Sequence, residues 1–174
     1  DCFTDVDIYN DEVRLLQYPF TSPISSRTAI SFYRYFIVDT LMVDGKQRCI
    51  QVDFTPNNPQ DFGFSGSLYI MADGTYRVYK ADMGIPVRSD VNFVQSMRII
   101  QTFDQLPTGE QVLVKDNMLV QLHITKSAGK FQVKRDTEYS NFAFEPIPDK
   151  TFKFKGETLT SANAQMQNEH FWQE

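Results

Sequence analysis

Two Asp-Gly pairs, Asp44-Gly45 and Asp73-Gly74, punctuate the run from Leu41 to Met83, and each is flanked by short stretches of strand character. Glycine reaches positive φ without steric cost and aspartate tolerates it, so each pair predicts a two-residue type I′ turn whose twist matches antiparallel strands. Between the two hairpins lies TPNNPQDFGFSG, Thr55 to Gly66, whose Asn, Pro and Gly content suits a connection rather than a strand. An antiparallel β protein with one elaborate connection is therefore expected.

The remainder of the chain extends this pattern. Thr4 to Tyr9 alternates Val6 and Ile8 with Asp5 and Asp7, as a strand with one buried face does. Ser22-Pro23 reads as a helix cap followed by proline at the first helical position, which predicts a short helix over about Pro23 to Ser31. Phe32 to Val43 and Lys46 to Phe54 form the first hairpin, and Ser67 to Met71 and Thr75 to Met83 the second. Val91 to Phe103 and Gln111 to Thr125 flank Pro107-Thr108-Gly109 as a third. Phe131 to Val133 and Tyr139 to Phe144 continue the sheet. From Glu145 the pattern breaks at Pro146-Ile147-Pro148, and Ser161 to Trp172 is weakly helical. These features predict a mainly β fold, a large curled antiparallel sheet or half-barrel with one or two short helices, over residues 1–145. Residues 146–174 read as a linker or tail toward a further domain. From the start at Asp1-Cys2-Phe3 and the apolar Phe171 and Trp172 near the end, a piece of a longer or processed protein is expected.

The 174 residues suffice for one domain with a real core, and the 15 Phe and 8 Tyr supply its bulk. A formal charge of −5 with acids and bases mixed argues against a nucleic-acid partner, which needs clustered cations. No 18-residue apolar run is present to span a bilayer as a helix. Cys2 and Cys49 have no metal-type spacing, and whether they pair depends on export and on Cα atoms within bridging distance.

Catalytic and metal chemistry finds little support. DVDIYNDE, Asp5 to Glu12, starts like a calcium loop, but Tyr9 takes a ligand place and Asn10 the place of the turn glycine. Two histidines, His123 and His170, cannot assemble a multi-histidine site. Gly63-Phe64-Ser65-Gly66-Ser67 lacks the spacing of a nucleophile elbow. A hydrolase would need His123 brought to Ser65 or Cys49, with Lys115, Asp116 or Glu138 in support. No catalytic residue, metal or cofactor is assigned on these grounds. What remains is apolar recognition. Phe62, Phe64 and Tyr69 straddle the irregular connection, and they serve either as caps over the sheet end or as partner contacts. Phe152, Phe154, Phe171 and Trp172 in the tail pose the same choice.

The order SPIS at Ser22, FYRYFIVDT at Phe32, DFTPNNPQDFGFSG at Asp53, VNFVQSM at Val91, TFDQLPTGE at Thr102 and AFEPIPDKTFKFKGE at Ala143 resembles a family of unknown function in Gram-negative outer-membrane proteins. Members typically carry a carboxypeptidase-regulatory-like β-sandwich, then this module, then a β-barrel. The resemblance implies a non-enzymatic module on the periplasmic side of the outer membrane, with neighbouring domains of the same polypeptide as partners. The strand order also resembles the lipoprotein-carrier fold, which implies a concave face able to hold a lipid, an acyl chain or a lipoprotein.

Overall fold

The computed structural model describes residues 8–15, 18–25, 27–85, 94–125 and 129–144. The chain divides into two compact units, Asp1–Ser140 and Asn141–Glu174. In the first, β1 (Glu12–Leu15) and β2 (Tyr18–Thr21) form a small hairpin, followed by one helical turn, α1 (Ala29–Phe32). Seven strands then run as an uninterrupted antiparallel meander. They are β3 (Tyr33–Val43), β4 (Gln47–Pro56), β5 (Ser65–Met71), β6 (Val78–Ile85), β7 (Val94–Gln105), β8 (Gln111–Thr125) and β9 (Gly129–Glu138). The expected mainly β, antiparallel architecture is thus present, as an open sheet not closed into a barrel. In the second unit the described residues are 141–144, where Asn141 has a φ of 59° and Phe144 is exposed.

Register makes the two faces of the large sheet distinct. One row across it is Tyr35–Phe54–Gly66–Met83–Ile99–Met118–Arg135, and a parallel row is Ile37–Val52–Leu68–Ala81–Gln101–Asp116–Thr137. Phe54, Leu68, Ala81, Met83, Ile99 and Met118 are all buried, so this inner face carries the core. The outer face alternates with it in the row Phe36–Asp53–Ser67–Asp82–Ile100–Asn117–Asp136, which is mostly polar. Alternation with period two is what assigns one face to the core and the other to water.

The amino-terminal segment covers the inner face. Ile8, Val13, Phe20 and Ala29 belong to the same buried cluster as the sheet residues. Phe20 packs against Phe62 and Phe64 at centroid distances of 4.8 and 5.1 Å, and Tyr9 meets Phe103 edge-on at 5.3 Å. Polar bonds fasten this strap. The Tyr33 hydroxyl donates to the Thr21 carbonyl at 2.6 Å and the Tyr35 hydroxyl to the Pro23 carbonyl at 2.8 Å. Within the strap Ser22 donates its hydroxyl to the Ile8 carbonyl, and Ser25 donates to Asp11 Oδ1 at 2.7 Å.

Several local expectations are corrected. The helix expected over Pro23 to Ser31 is one turn at Ala29–Phe32. Serine hydroxyls divert the backbone before it, since Ser22 Oγ accepts the Ile24 N–H at 3.2 Å and Ser25 Oγ accepts those of Arg27 and Thr28 at 3.3 Å each. Such local side-chain bonds compete with helix formation. The strand expected over Thr4 to Tyr9 is a turn at Ile8 and Tyr9, with residues 4–7 outside the described residues. β9 ends at Glu138, so Tyr139 to Phe144 does not continue the sheet. Strands absorb both ends of the Thr55 to Gly66 connection, leaving a loop of residues 57–64.

Of the two Asp-Gly pairs, Asp44-Gly45 has φ of 52° and 66°, as a type I′ turn requires. Asp73-Gly74 does not. There the Asp73 carboxylate accepts the Thr75 N–H at 2.9 Å, and positive φ falls on Gly74 and Tyr76. An Asx turn has replaced the tight hairpin turn, and the loop closes through Met71 N–H to Arg77 C=O at 2.8 Å.

Gly66 stands in the inner row between Phe54 and Met83. A Cβ there would sit 2.0 Å from the Asp82 carbonyl oxygen, an obstacle of backbone rather than of a yielding side chain. Gly66→Ala is expected to cost about 1–3 kcal/mol by forcing β5 and β6 apart, measured as a lower urea midpoint. An unchanged midpoint would show that the two strands do not approach this closely.

Candidate docking edge

In a meander the first and last strands are the edges, here β3 and β9. An edge strand points half of its N–H and C=O groups away from the sheet, and proteins commonly block such edges with charge. β9 follows that pattern in its second half, while Phe131 and Val133 in its first half are 48% and 42% exposed. Its sequence GKFQVKRDTE carries Lys134, Arg135, Asp136 and Glu138. Lys134 pairs with Asp136 at 2.6 Å, Glu138 with Lys115 at 2.9 Å and Arg135 with Asp116 at 2.5 Å.

β3 does not. Its sequence YRYFIVDTLMV holds only Arg34 and Asp39 as charges. Between them Tyr35, Phe36, Ile37 and Val38 are 37%, 51%, 79% and 54% exposed, and Met42 is 56% exposed. Phe36 lies on the outer face and Ile37 on the inner, so both faces of the edge are apolar. The register with β4 slips between Ile37 and Asp39, leaving Val38 as the extra residue of a β-bulge. The strand is anchored at its start. Arg34 Nη2 donates to the Asn57 carbonyl at 2.6 Å, and the Asn57 side chain donates to the Ser31 carbonyl at 2.7 Å.

The inner-face tyrosines of this edge carry a pH dependence. Burial pushes the Tyr33 hydroxyl well above its ordinary value; the bond from the Phe64 N–H lowers it and the neighbouring Tyr35 raises it further. Burial raises Tyr35 too. Both therefore stay neutral in the fold where the unfolded chain ionises them, near about pH 10. Their contribution to stability is complete below that pH and is lost as pH rises through the raised values. Urea midpoints taken from about pH 8 to about pH 11 are expected to fall at the alkaline end. The fall should be shallower in Y33F/Y35F; an equal fall in that variant would remove these hydroxyls as the cause.

The polar outer face holds an ordered ladder. Asp53 Oδ1 accepts Gln51 Nε2 at 2.9 Å and Ser67 Oγ at 2.6 Å, and Asp82 grips Arg98 through two bonds of 2.8 and 2.6 Å. An open depression lies over Gly84 between Ser65, Ser67, Ser96 and Arg98.

The residues singled out from sequence fall in different places. Phe64 is fully buried and Phe62 partly buried, both against Phe20. Tyr69 is partly exposed on the outer face, between Gln51 and Lys80 in register. Phe152, Phe171 and Trp172 lie outside the described residues, as do Phe154, His170 and Cys2. Ser65 is on β5 and bonds to Thr55 at 3.3 Å. His123 is on β8, and two strands separate it from β5, about 14 Å of sheet. Cys49 is buried on β4; burial raises its thiol, and the carboxylates of Asp44 and Asp73 raise it further, which favours the protonated form. Asp116 is buried and bonded to Arg135 and Gln101, while Lys115 and Glu138 pair on the outer face. Among the described residues no group of three His, Cys, Asp or Glu gathers to hold a metal, and no helix is long and apolar enough to cross a membrane.

Sequence reasoning identified β3 as a strand but missed it as an edge. The available signal was the run YFIV, Tyr35 to Val38, which lacks any polar alternation. Such a run normally marks a strand covered on both faces; here Phe36, Ile37 and Val38 are more than half exposed, while Tyr35 reaches the strap through Pro23.

The described residues thus form an open meander whose inner face is covered by the amino-terminal strap and whose β3 edge carries exposed apolar side chains. The chain belongs to a family of unknown function, DUF5686, whose profile matches residues 2–142. No curated protein and no solved structure matches it.

Proposed function

We propose that this chain is a non-enzymatic docking module of an outer-membrane protein, acting on the periplasmic side and taking up an extended segment along the β3 edge. The observation that carries the reading is the contrast between the two edges. β9 carries paired charges from Lys134 to Glu138 and exposes Phe131 and Val133 on one face, whereas β3 offers exposed apolar side chains on both faces beside outward-pointing backbone groups. Strand addition uses such an edge, with backbone bonds giving affinity and side-chain alternation giving specificity. The envelope location rests on the order of motifs described above. Phe20, Val13 and Ile8 occupy the inner face themselves, so an acyl chain seated over the same strands would have to displace the strap.

The test is hydrogen exchange of residues 33–43 in the membrane-embedded parent protein. Exchange is expected to be slow there and at least about tenfold faster after Ile37→Lys, which places a charge on the edge without touching the core. Equal exchange at β3 in the two proteins would overturn the reading.

A further inference from the structure

We infer that the β3 edge pairs antiparallel with β3 of a second copy of this chain, about a two-fold axis that runs between the two strands at Phe36. This deepens the docking reading by naming the partner, and it rests on that reading.

The bulge supplies the argument. Arg34, Phe36 and Asp39 pair with Thr55, Asp53 and Gln51 of β4, positions that step by two. The three side chains therefore share the outer face, although Arg34 and Asp39 are five residues apart and would lie on opposite faces of a regular strand. The extra residue, Val38, makes the difference, and bulges characteristically re-aim side chains at sheet edges. Along this face the order is cation, aromatic ring, anion. A two-fold axis between the two strands, level with the ring, reverses that order, setting Arg34 opposite Asp39 of the second copy, Asp39 opposite its Arg34, and Phe36 opposite Phe36.

The inner face is complementary under the same operation. Tyr35 comes opposite Ile37 of the second copy, an aromatic and β-branched pair of the kind that stabilises neighbouring strands. Ile37, the most exposed of the strand's large apolar residues, then gains cover on both copies. The pairing is isologous and closes at two chains. A β3-to-β9 pairing would instead propagate into open fibres, and the charges of β9 oppose it. Each edge that can pair is thereby consumed by the pairing.

Sedimentation equilibrium of the 174-residue chain over a wide concentration range tests the proposal. A reversible monomer–dimer equilibrium is expected, lost in Ile37→Lys at unchanged circular dichroism. Arg34→Asp and Asp39→Arg should each weaken the dimer about 5- to 30-fold, since each converts two attractive pairs into two repulsive ones. The double variant R34D/D39R should regain most of the affinity, because the reversed charges again face each other. Dimers indifferent to Ile37→Lys, or single charge variants without rescue in the double, would overturn the self-pairing. A chain that stays monomeric throughout would overturn it as well. In that event slow exchange of residues 33–43 in the membrane-embedded protein would still support docking of another polypeptide at the edge, whereas fast exchange there would remove the docking reading itself.

Discussion

Phe64→Ala is expected to lower the stability of the fold by about 3–5 kcal/mol. Phe64 is fully buried where the connection enters β5, and its ring lies 5.1 Å from Phe20 at 37°. Its backbone is held independently, because the N–H donates to the Tyr33 hydroxyl at 3.2 Å and that hydroxyl donates onward to Thr21. A site pinned in this way collapses poorly around a missing ring, so the cavity term adds to the lost transfer energy. The loss also removes one of the two rings against Phe20, which loosens the strap at the point where it meets the sheet. Urea unfolding provides the measurement, with Phe64→Leu as the milder comparison. A loss below about 1 kcal/mol for alanine would mean that the strap moves in to fill the space.

The second large effect belongs to the inner face near the β9 edge. Asp116 is 2% exposed and accepts bonds from Arg135 Nη2 at 2.5 Å and Gln101 Nε2 at 3.1 Å. Removing one partner of a buried ion pair costs about 3–5 kcal/mol, because the remaining charge keeps its desolvation without its counter-charge. Arg135 is about one-third exposed and can turn to water, so Asp116→Ala is expected near the lower end of that range. Replacing both residues, as D116L/R135L, should restore part of the loss, since an apolar pair avoids the desolvation of the two charges, while the buried Gln101 amide still loses its Asp116 acceptor. If the double variant is as unstable as the single, the pair contributes attraction well beyond its desolvation cost. The comparison then assigns it a stabilising role. Recovery assigns it instead to register, fixing β9 on β8.

The sheet was legible because its signals are local. Gln111 to Thr125 places Met118, Val120, Leu122 and Ile124 at alternate positions, and the expected and observed strand coincide; the first hairpin is set by Asp44-Gly45, whose two residues both need positive φ. Misreadings cluster where a side chain competes for the backbone. Asp73 takes the Thr75 N–H and changes the turn, and Ser22 and Ser25 take amides that a longer helix would have used. β1 and β2 went unread because four residues each are too few to show a period, and their pairing is specified by burial of Val13 and Phe20 against a sheet encoded further along. That β3 is an edge was marked only by the unbroken apolar run Tyr35 to Val38, for a related reason. Periodicity reports which residues prefer burial, while being an edge depends on which strand has no neighbour. The bulge at Val38, which gathers Arg34 and Asp39 onto one face, leaves no mark in composition or spacing at all.

The meander has a kinetic consequence. Every strand of the large sheet bonds only to its neighbours in sequence, so the ladder can grow by successive hairpin closures, each with a short loop to order. The strap begins equally locally, since Tyr33 and Tyr35 reach back only twelve residues to Thr21 and Pro23. Its far end is different. Tyr9 meets Phe103, a contact that must wait until β7 exists. During synthesis this segment is made before the sheet yet is fully seated only once β7 has emerged, and until then the apolar face beneath it stands open to whatever chaperone or misfolded neighbour arrives earlier.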